Sequence, residues 1–331
     1  MRILQVSSAS NIGGGETHLL QLIEALRGRA HAVVVAGRGD GALHPDIALP
    51  FLNSADLFTA LRLRSILKRE QFDIVHAHVA RDYTIVAAAA WNIPAVKVVF
   101  TRHLLYPIRG HFLYNRVDGW IAPTAQILNT LQPLKPKQAS VIPNWVDLEK
   151  FPYQPHAFHS PVSVGLIGQI SPHKGHDAAV EATRLLGDGF RLLIAGGRDA
   201  VYEAKLKKKA AGLPVEFLGF VSLPEFFGKI DMVIVPSWEE PFGIVLLEAM
   251  ASGIPVIATN RGGPAEIVRG VLIPPHDPAA LAEAIRSVRP GEFIGEAREH
   301  VEKNFDMRSV VPRIEDFYRD LQPQKGTRCT R

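Results

Sequence analysis

The chain has 331 residues, of which 47% are hydrophobic and 21% charged, the make-up of a soluble globular protein long enough for two ordinary domains. No apolar run reaches about 18 residues, which argues against a spanning helix. Cys329, in a polar tail, is the one cysteine, so internal disulfides are excluded and a cysteine-based metal site is disfavoured. The net charge of +4 and pI near 9.2 come without a helix-turn-helix pattern or an aromatic-interleaved basic patch, which argues against nucleic acid as a partner.

The opening Met1-Arg2-Ile3-Leu4-Gln5-Val6 has the pattern of a buried strand rather than a secretion signal, and a cytoplasmic location is the expectation. Apolar, β-branched runs at 3–7, 32–36, 74–78, 96–101, 119–122 and 140–142 predict strands. Between them, 17–26 and 56–69 carry apolar residues at helical spacing, and 83–91 is an Ala-rich buried helix. Strands alternating with helices imply βαβ units and a parallel sheet. The proline-rich stretch 151–161 can continue neither a helix nor a central strand and marks a linker. A second α/β set follows, with strands at 162–167, 191–195, 215–218, 232–235, 256–258 and 272–273. Helices are expected at 177–186, 200–211, 224–229, 243–251, 263–268 and 278–288, and an amphipathic closing stretch at 298–321. The predicted class is α/β: two facing Rossmann-like domains with parallel sheets, residues 1–150 and 151–307, whose strand ends line an interdomain cleft. Residues 322–331 are expected to be a disordered tail.

Three constellations carry chemistry. Gly13-Gly14-Gly15-Glu16 follows the first strand and opens a helix, where amides and the helix dipole favour an anion; a plain tight turn is the alternative. Neither the dinucleotide fingerprint nor the P-loop is met. Lys174-Gly175 follows the first strand of the second half and supplies a point charge for a diphosphate. Glu240 and Glu248 lie eight residues apart, spanning roughly 12 Å if wholly helical, about the length of a ribose-diphosphate-hexose unit. Glu248 stands among Leu246, Leu247, Ala249 and Met250, where an uncompensated charge is costly. Glu248 suits ribose hydroxyls, Glu240 a transferred sugar, and the Phe242 and Gly243 amides a phosphate. The alternative makes Glu240 a helix-start charge and Glu248 a partner for a surface arginine. His76-Ala77-His78 directs two imidazoles to one face, but a metal site lacks further ligands and none is assigned. Arg102-His103 follows a strand and is expected to reach the cleft.

In order along the chain, Gly13-Gly14-Gly15-Glu16, Phe72-Asp73-Ile74-Val75-His76-Ala77-His78, Val141-Ile142-Pro143-Asn144 with Val146-Asp147, Lys174-Gly175-His176-Asp177, Glu240 with Glu248, and Gly262-Gly263 with Glu266 resemble the retaining GT-B glycosyltransferases of family 4. Pro275, Asp277 and Leu281 continue the series, and Asn304-Phe305-Asp306-Met307 with Tyr318-Arg319 resembles that family's C-terminal segment. The last helix, about 308–321, is then expected to rejoin the N-terminal domain. The resemblance implies transfer of a hexose or N-acetylhexosamine from a nucleotide diphosphate sugar, UDP-sugar ahead of GDP-sugar, with retention of configuration and no required cofactor or metal. Carried over residue by residue, Glu240, His103 and Lys174 are the catalytic set. Gly14, Gly15, Gln169, Lys174, Phe242, Gly243, Ile244, Glu248 and Asn144 bind the donor, and Glu16, His78 and Arg102 stand on the acceptor side.

Two departures stand out. Gln169 replaces a frequent arginine, for which Arg102 or Arg261 is a candidate substitute, and Trp145 replaces the usual glycine of Asn-Gly-Val-Asp. The acceptor is expected to be a saccharide or a lipid-linked saccharide, as in polysaccharide or lipopolysaccharide assembly. The cations and apolar residues of 62–69 and 104–113 fit peripheral contact with an anionic membrane on the cytoplasmic face, or an amphipathic helix or lid with a solvated side. The rivals are a nucleotide-sugar epimerase or inverting transferase of the same fold, a nicotinamide oxidoreductase, and a non-catalytic sugar-nucleotide binding protein.

Overall fold

The computed structural model describes all residues except Ile12, Ala42, Arg198 and 323–331. The tail expected to be disordered lies outside the described residues apart from Gln322, and Cys329 lies outside them too. The chain divides into two compact units, the first formed by Met1–Asn144 with the chain from Val310, the second by Trp145–Ser309. The division falls ahead of 150/151 because Val146, Leu148 and Phe151 pack into the core of the second unit.

In the first unit, β1 (Arg2–Ser7), α1 (Gly14–Gly28), β2 (Ala32–Gly37), β3 (Ile47–Ala48), α2 (Leu57–Glu70), β4 (Ile74–Ala77), α3 (Tyr83–Ala89), β5 (Lys97–Thr101), β6 (Gly119–Ala122), α4 (Ala125–Asn129) and β7 (Ala139–Val141) follow one another. The sheet order is β3-β2-β1-β4-β5-β6-β7, with every pairing parallel. Alternation along the strands sorts the core. Leu4 and Val6 of β1, Val75 and Ala77 of β4, and Val98 and Phe100 of β5 pack with Leu63, Leu67, Ile85 and Val86 of α2 and α3. Asp56 caps α2 by accepting the Thr59 amide at 2.9 Å, and Gln71 ends that helix in the left-handed region.

The second unit runs β8 (Val162–Ile167), α5 (His176–Leu186), β9 (Phe190–Ala195), α6 (Ala200–Lys209), β10 (Val215–Gly219), α7 (Leu223–Phe227), β11 (Met232–Val235), α8 (Ile244–Ser252), β12 (Val256–Thr259), α9 (Pro264–Ile267), β13 (Val271–Ile273), α10 (Pro278–Ser287) and α11 (Ile294–Phe305). Its sheet is also wholly parallel, in the order β10-β9-β8-β11-β12-β13. The parallel α/β class expected from the sequence is therefore borne out in both units.

The closing stretch is two helices. Val146 takes Asp306 into a parallel bridge, its amide donating to the Phe305 carbonyl at 2.9 Å and its carbonyl accepting from the Met307 amide at 3.0 Å. The break releases α12 (Met307–Leu321), most of which belongs to the first unit. There the buried Glu315 meets Arg29 and His31, each at 2.7 Å, and Tyr318 reaches His76 at 2.7 Å. The amphipathic helix that was one alternative for 104–113 does not form. Pro107 and Gly110 interrupt the run, which forms a loop and then a short 3-10 turn at Phe112–Arg116.

Candidate active site

In both units the strand order reverses beside the first strand, between β1 and β4 and between β8 and β11. Open α/β sheets bind ligands beyond the strand ends at such points.

Beyond β8 in the second unit lie the exposed Gln169 and a 3-10 turn, Pro172–Lys174. Gly175 follows at φ +76°, where an added Cβ would stand 1.9 Å from the Pro236 carbonyl oxygen. Only glycine permits that approach, and the approach brings Lys174 to the segment after β11. Lys174 Nζ donates to Glu240 Oε2 at 2.6 Å, and Ser237 Oγ donates to the same oxygen at 3.3 Å. The Glu240 backbone is fixed separately, by a bridge to Gly262 and by the Gly263 amide donating to its carbonyl at 2.8 Å. A Cβ on Gly263 would lie 2.4 Å from Phe242 Cα, so this second close approach also requires glycine.

Glu240 is outside α8. Pro241 and Gly243, the latter at φ +90°, delay the helix until Ile244. The 12 Å spacing expected of a continuous helix therefore does not apply, and Ile244 to Glu248 rises only roughly 6 Å. Glu248 is 9% exposed, and burial pushes its carboxyl up to about 7. Among the described residues no side chain donates to that carboxylate. The surface-arginine alternative is thus excluded for Glu248 among them, and the group is a buried acceptor open to hydroxyl donors.

In the first unit, the Gly13 amide donates to Glu16 Oε2 at 2.9 Å, so the helix supplies its own anion. Gly14 and Gly15 form its first turn. A cavity of about 280 Å³ lies at the reversal, lined among others by Gly15, Glu16, His78, Arg81, His103 and Leu104. His103 is half-buried, and burial and then the Arg102 charge push its imidazole down to about 4. His78 and His18 are lowered too, chiefly by burial and then by neighbouring histidines. At neutral pH this wall is uncharged imidazole.

His76 and His78 are held by the core. Thr101 and Tyr318 each contact His76 at 2.7 Å, and His78 Nε2 donates to Gln5 Oε1 at 2.7 Å. Burial pushes His76 down to about 3, with His103 adding to it. Arg102 is buried and donates to the Tyr106 carbonyl at 2.6 Å within its own loop. Asn144 is buried as the last residue before the division, and Trp145 is a core residue of the second unit.

The structure gathers Lys174, Glu240, Phe242, Gly243, Ile244 and Glu248 in the second unit, and Gly14, Gly15, Glu16, His78, Arg102 and His103 in the first. Sequence reasoning missed Arg81, which donates to Ser8 Oγ at 3.0 Å and to its carbonyl at 2.7 Å, fixing the loop after β1. It also missed Trp238, half-exposed beside Glu240 with its ring 4.7 Å from that of His276. An exposed tryptophan next to paired carboxylates was the available signal.

Two family models meet end to end on this chain, "Glycosyltransferase Family 4" over residues 12–150 and "Glycosyl transferases group 1" over 151–306. The chain belongs to glycosyltransferase family 4. This glycosyltransferase is 29% identical to the D-inositol 3-phosphate glycosyltransferase of Acidothermus cellulolyticus, over 82% of this chain and 73% of that one. Against the phosphatidyl-myo-inositol mannosyltransferase of Mycobacterium leprae it is 27% identical, over 92% of each chain. Its GT-B fold matches that of Anabaena Alr3699/HepE, solved in complex with UDP and glucose, with a TM-score of 0.83, 21% identity, and coverage of 97% of this chain and all of that one.

Proposed function

We propose that this glycosyltransferase retains anomeric configuration and takes its sugar, a hexose or N-acetylhexosamine, from a nucleoside diphosphate, with a UDP-sugar as the first expectation. The observation carrying this reading is the Lys174–Glu240 pair ahead of α8 together with the buried, uncommitted carboxylate of Glu248 within that helix. Lys174 neutralises charge that develops on the departing diphosphate, helped by the first-turn amides of α8. Glu248 accepts ribose hydroxyls, and Glu240 orients the donor sugar while holding Lys174 in place. Gly14, Gly15, Gln169 and Asn144 are assigned to the donor and His103 to the catalytic set by family resemblance. Glu16 and His78, on the 280 Å³ cavity, are assigned to the acceptor. The UDP and glucose bound by the Anabaena neighbour support the donor class.

For the acceptor, we propose a lipid-linked saccharide at an anionic membrane. On α2, Leu57, Phe58 and Leu61 are 68%, 59% and 57% exposed, an apolar cluster that a solvated helix normally buries. Arg62, Lys68 and Arg69 are exposed on the same helix, and the Arg62 guanidinium stands 5.5 Å from the Phe58 ring centre. Apolar residues flanked by cations suit the boundary of an anionic bilayer. No helix among the described residues is long and apolar enough to cross a membrane.

A panel of UDP-, GDP- and ADP-sugars, followed by assignment of the product anomer, tests the donor and the stereochemistry. Hydrolysis or transfer with no UDP-sugar, or an inverted product, would overturn those parts. For the acceptor, co-sedimentation with anionic but not zwitterionic vesicles is expected, and Leu61→Asp should abolish it. Equal sedimentation of that variant would remove the membrane from the reading.

A further inference from the structure

A group of side chains with metal-ligating chemistry lies away from the transfer machinery. We propose that His156, His159 and Asp231 form a site for a transition-metal cation of the Zn²⁺ class. Asp231 immediately precedes β11, so it stands at the N-terminal edge of the sheet, whereas Lys174 and Glu240 follow the C-terminal ends of β8 and β11. His156 and His159 lie in the proline-rich segment that the sequence marked only as a linker.

The donor atoms of the three residues all lie within 4.8 Å of one another. His159 Nδ1 is 2.6 Å, and His156 Nε2 3.4 Å, from Asp231 Oδ1. Around a tetrahedral Zn²⁺, bonded at its usual distances, neighbouring ligand atoms stand about 3.3 Å apart. The observed separations bracket that value, and both histidines are exposed, so their rings can adjust by tenths of an ångström. Asp231 is buried and already aimed. Its Oδ2 accepts the Ser163 amide at 2.6 Å and its Oδ1 accepts the His159 amide at 2.9 Å, an outer shell of the kind that orients ligating carboxylates.

Two neutral imidazoles and one carboxylate are a borderline donor set, suited to Zn²⁺ over Mg²⁺ or Ca²⁺. Solvent fills the remaining position. On binding, His159 Nδ1 gives up its hydrogen bond to Asp231 and His156 Nε2 its bond to the Ile230 carbonyl at 3.0 Å, each nitrogen turning its lone pair to the cation while the ring proton moves to the other nitrogen. The bound cation staples residues 156–159 to the turn at 230–231.

Calorimetric titration of the untagged full chain with Zn²⁺ alone, with thermal melts in parallel, tests the site. One equivalent should bind and raise the melting temperature, and Co²⁺ should give the intense visible bands of a tetrahedral site, displaced by Zn²⁺. His156→Ala and His159→Ala, both at exposed positions, should each weaken binding by at least about tenfold. Their double variant should lose the Co²⁺ bands while still melting cooperatively without metal, at a temperature that Zn²⁺ no longer raises. Wild-type chain that binds no Zn²⁺, or a double variant that binds it equally well, would overturn the proposal. Neither readout depends on glycosyl transfer.

Discussion

The helix starts of α1 and α8 look alike in sequence, each led by glycine and each following a strand end, yet they are dressed oppositely. At α1 the chain provides its own anion, the Glu16 carboxylate on the Gly13 amide. At α8 no side chain caps the helix, and the nearby carboxylate of Glu240 is engaged by Lys174 instead. A glycine-led helix start serves a ligand only where the chain leaves its amides open. By that measure the second unit holds the more open anion site.

The sharpest way to break this contrast is Lys174→Ala. It should lower kcat/KM by about a hundred- to a thousandfold, with the thermal melt little changed; near-normal initial rates would make the Lys174–Glu240 pair as structural as the Glu16 cap. Gly175→Ala comes next, because its Cβ meets the Pro236 carbonyl and its φ is positive. A loss of about 3 kcal/mol in urea denaturation is expected, and a neutral result would show that the lysine loop tolerates relocation.

A smaller effect concerns Glu248, whose folded value of about 7 lies above its ordinary 4.5. The stability this group contributes is fully present below 4.5 and is lost as pH rises through 7. With Glu248 accepting ribose hydroxyls as proposed, the ionised carboxylate is the binding form, so UDP affinity should strengthen over the same window, by close to tenfold per pH unit below 7. Glu248→Gln should flatten that profile in fluorescence or calorimetric titrations, and an unchanged slope would assign the titration elsewhere. The smallest change belongs to α1, where Glu16→Ala should cost about 1 kcal/mol of stability; an improvement in phosphate binding without that loss would erase the difference between the two starts.

Local patterns were legible wherever one period prevailed. Strands 119–122, 162–167 and 232–235 match the observed bounds, because short, mainly apolar runs between turn residues admit little else. Gly243 keeps Glu240 out of α8, as a helix expected to begin at 243 implies. Helix continuity was misjudged in the closing stretch, which the backbone bridge of Val146 to Asp306 splits in two. Motif positions could be found from spacing, but their pairings could not. The Lys174–Glu240 contact, the approach of His18 and His78 to His103, and the meeting of His156 and His159 with Asp231 depend on strand order, which joins residues far apart in the chain.

The second unit is an insertion within the first, since the chain leaves at Asn144 and comes back at Val310. During synthesis, β1 and β4 therefore emerge early but wait for Tyr318 to cover His76 and for Glu315 to join Arg29 and His31. The second unit has its whole sheet and α11 before that helix is made. Of the two, the unit translated first is the one completed last.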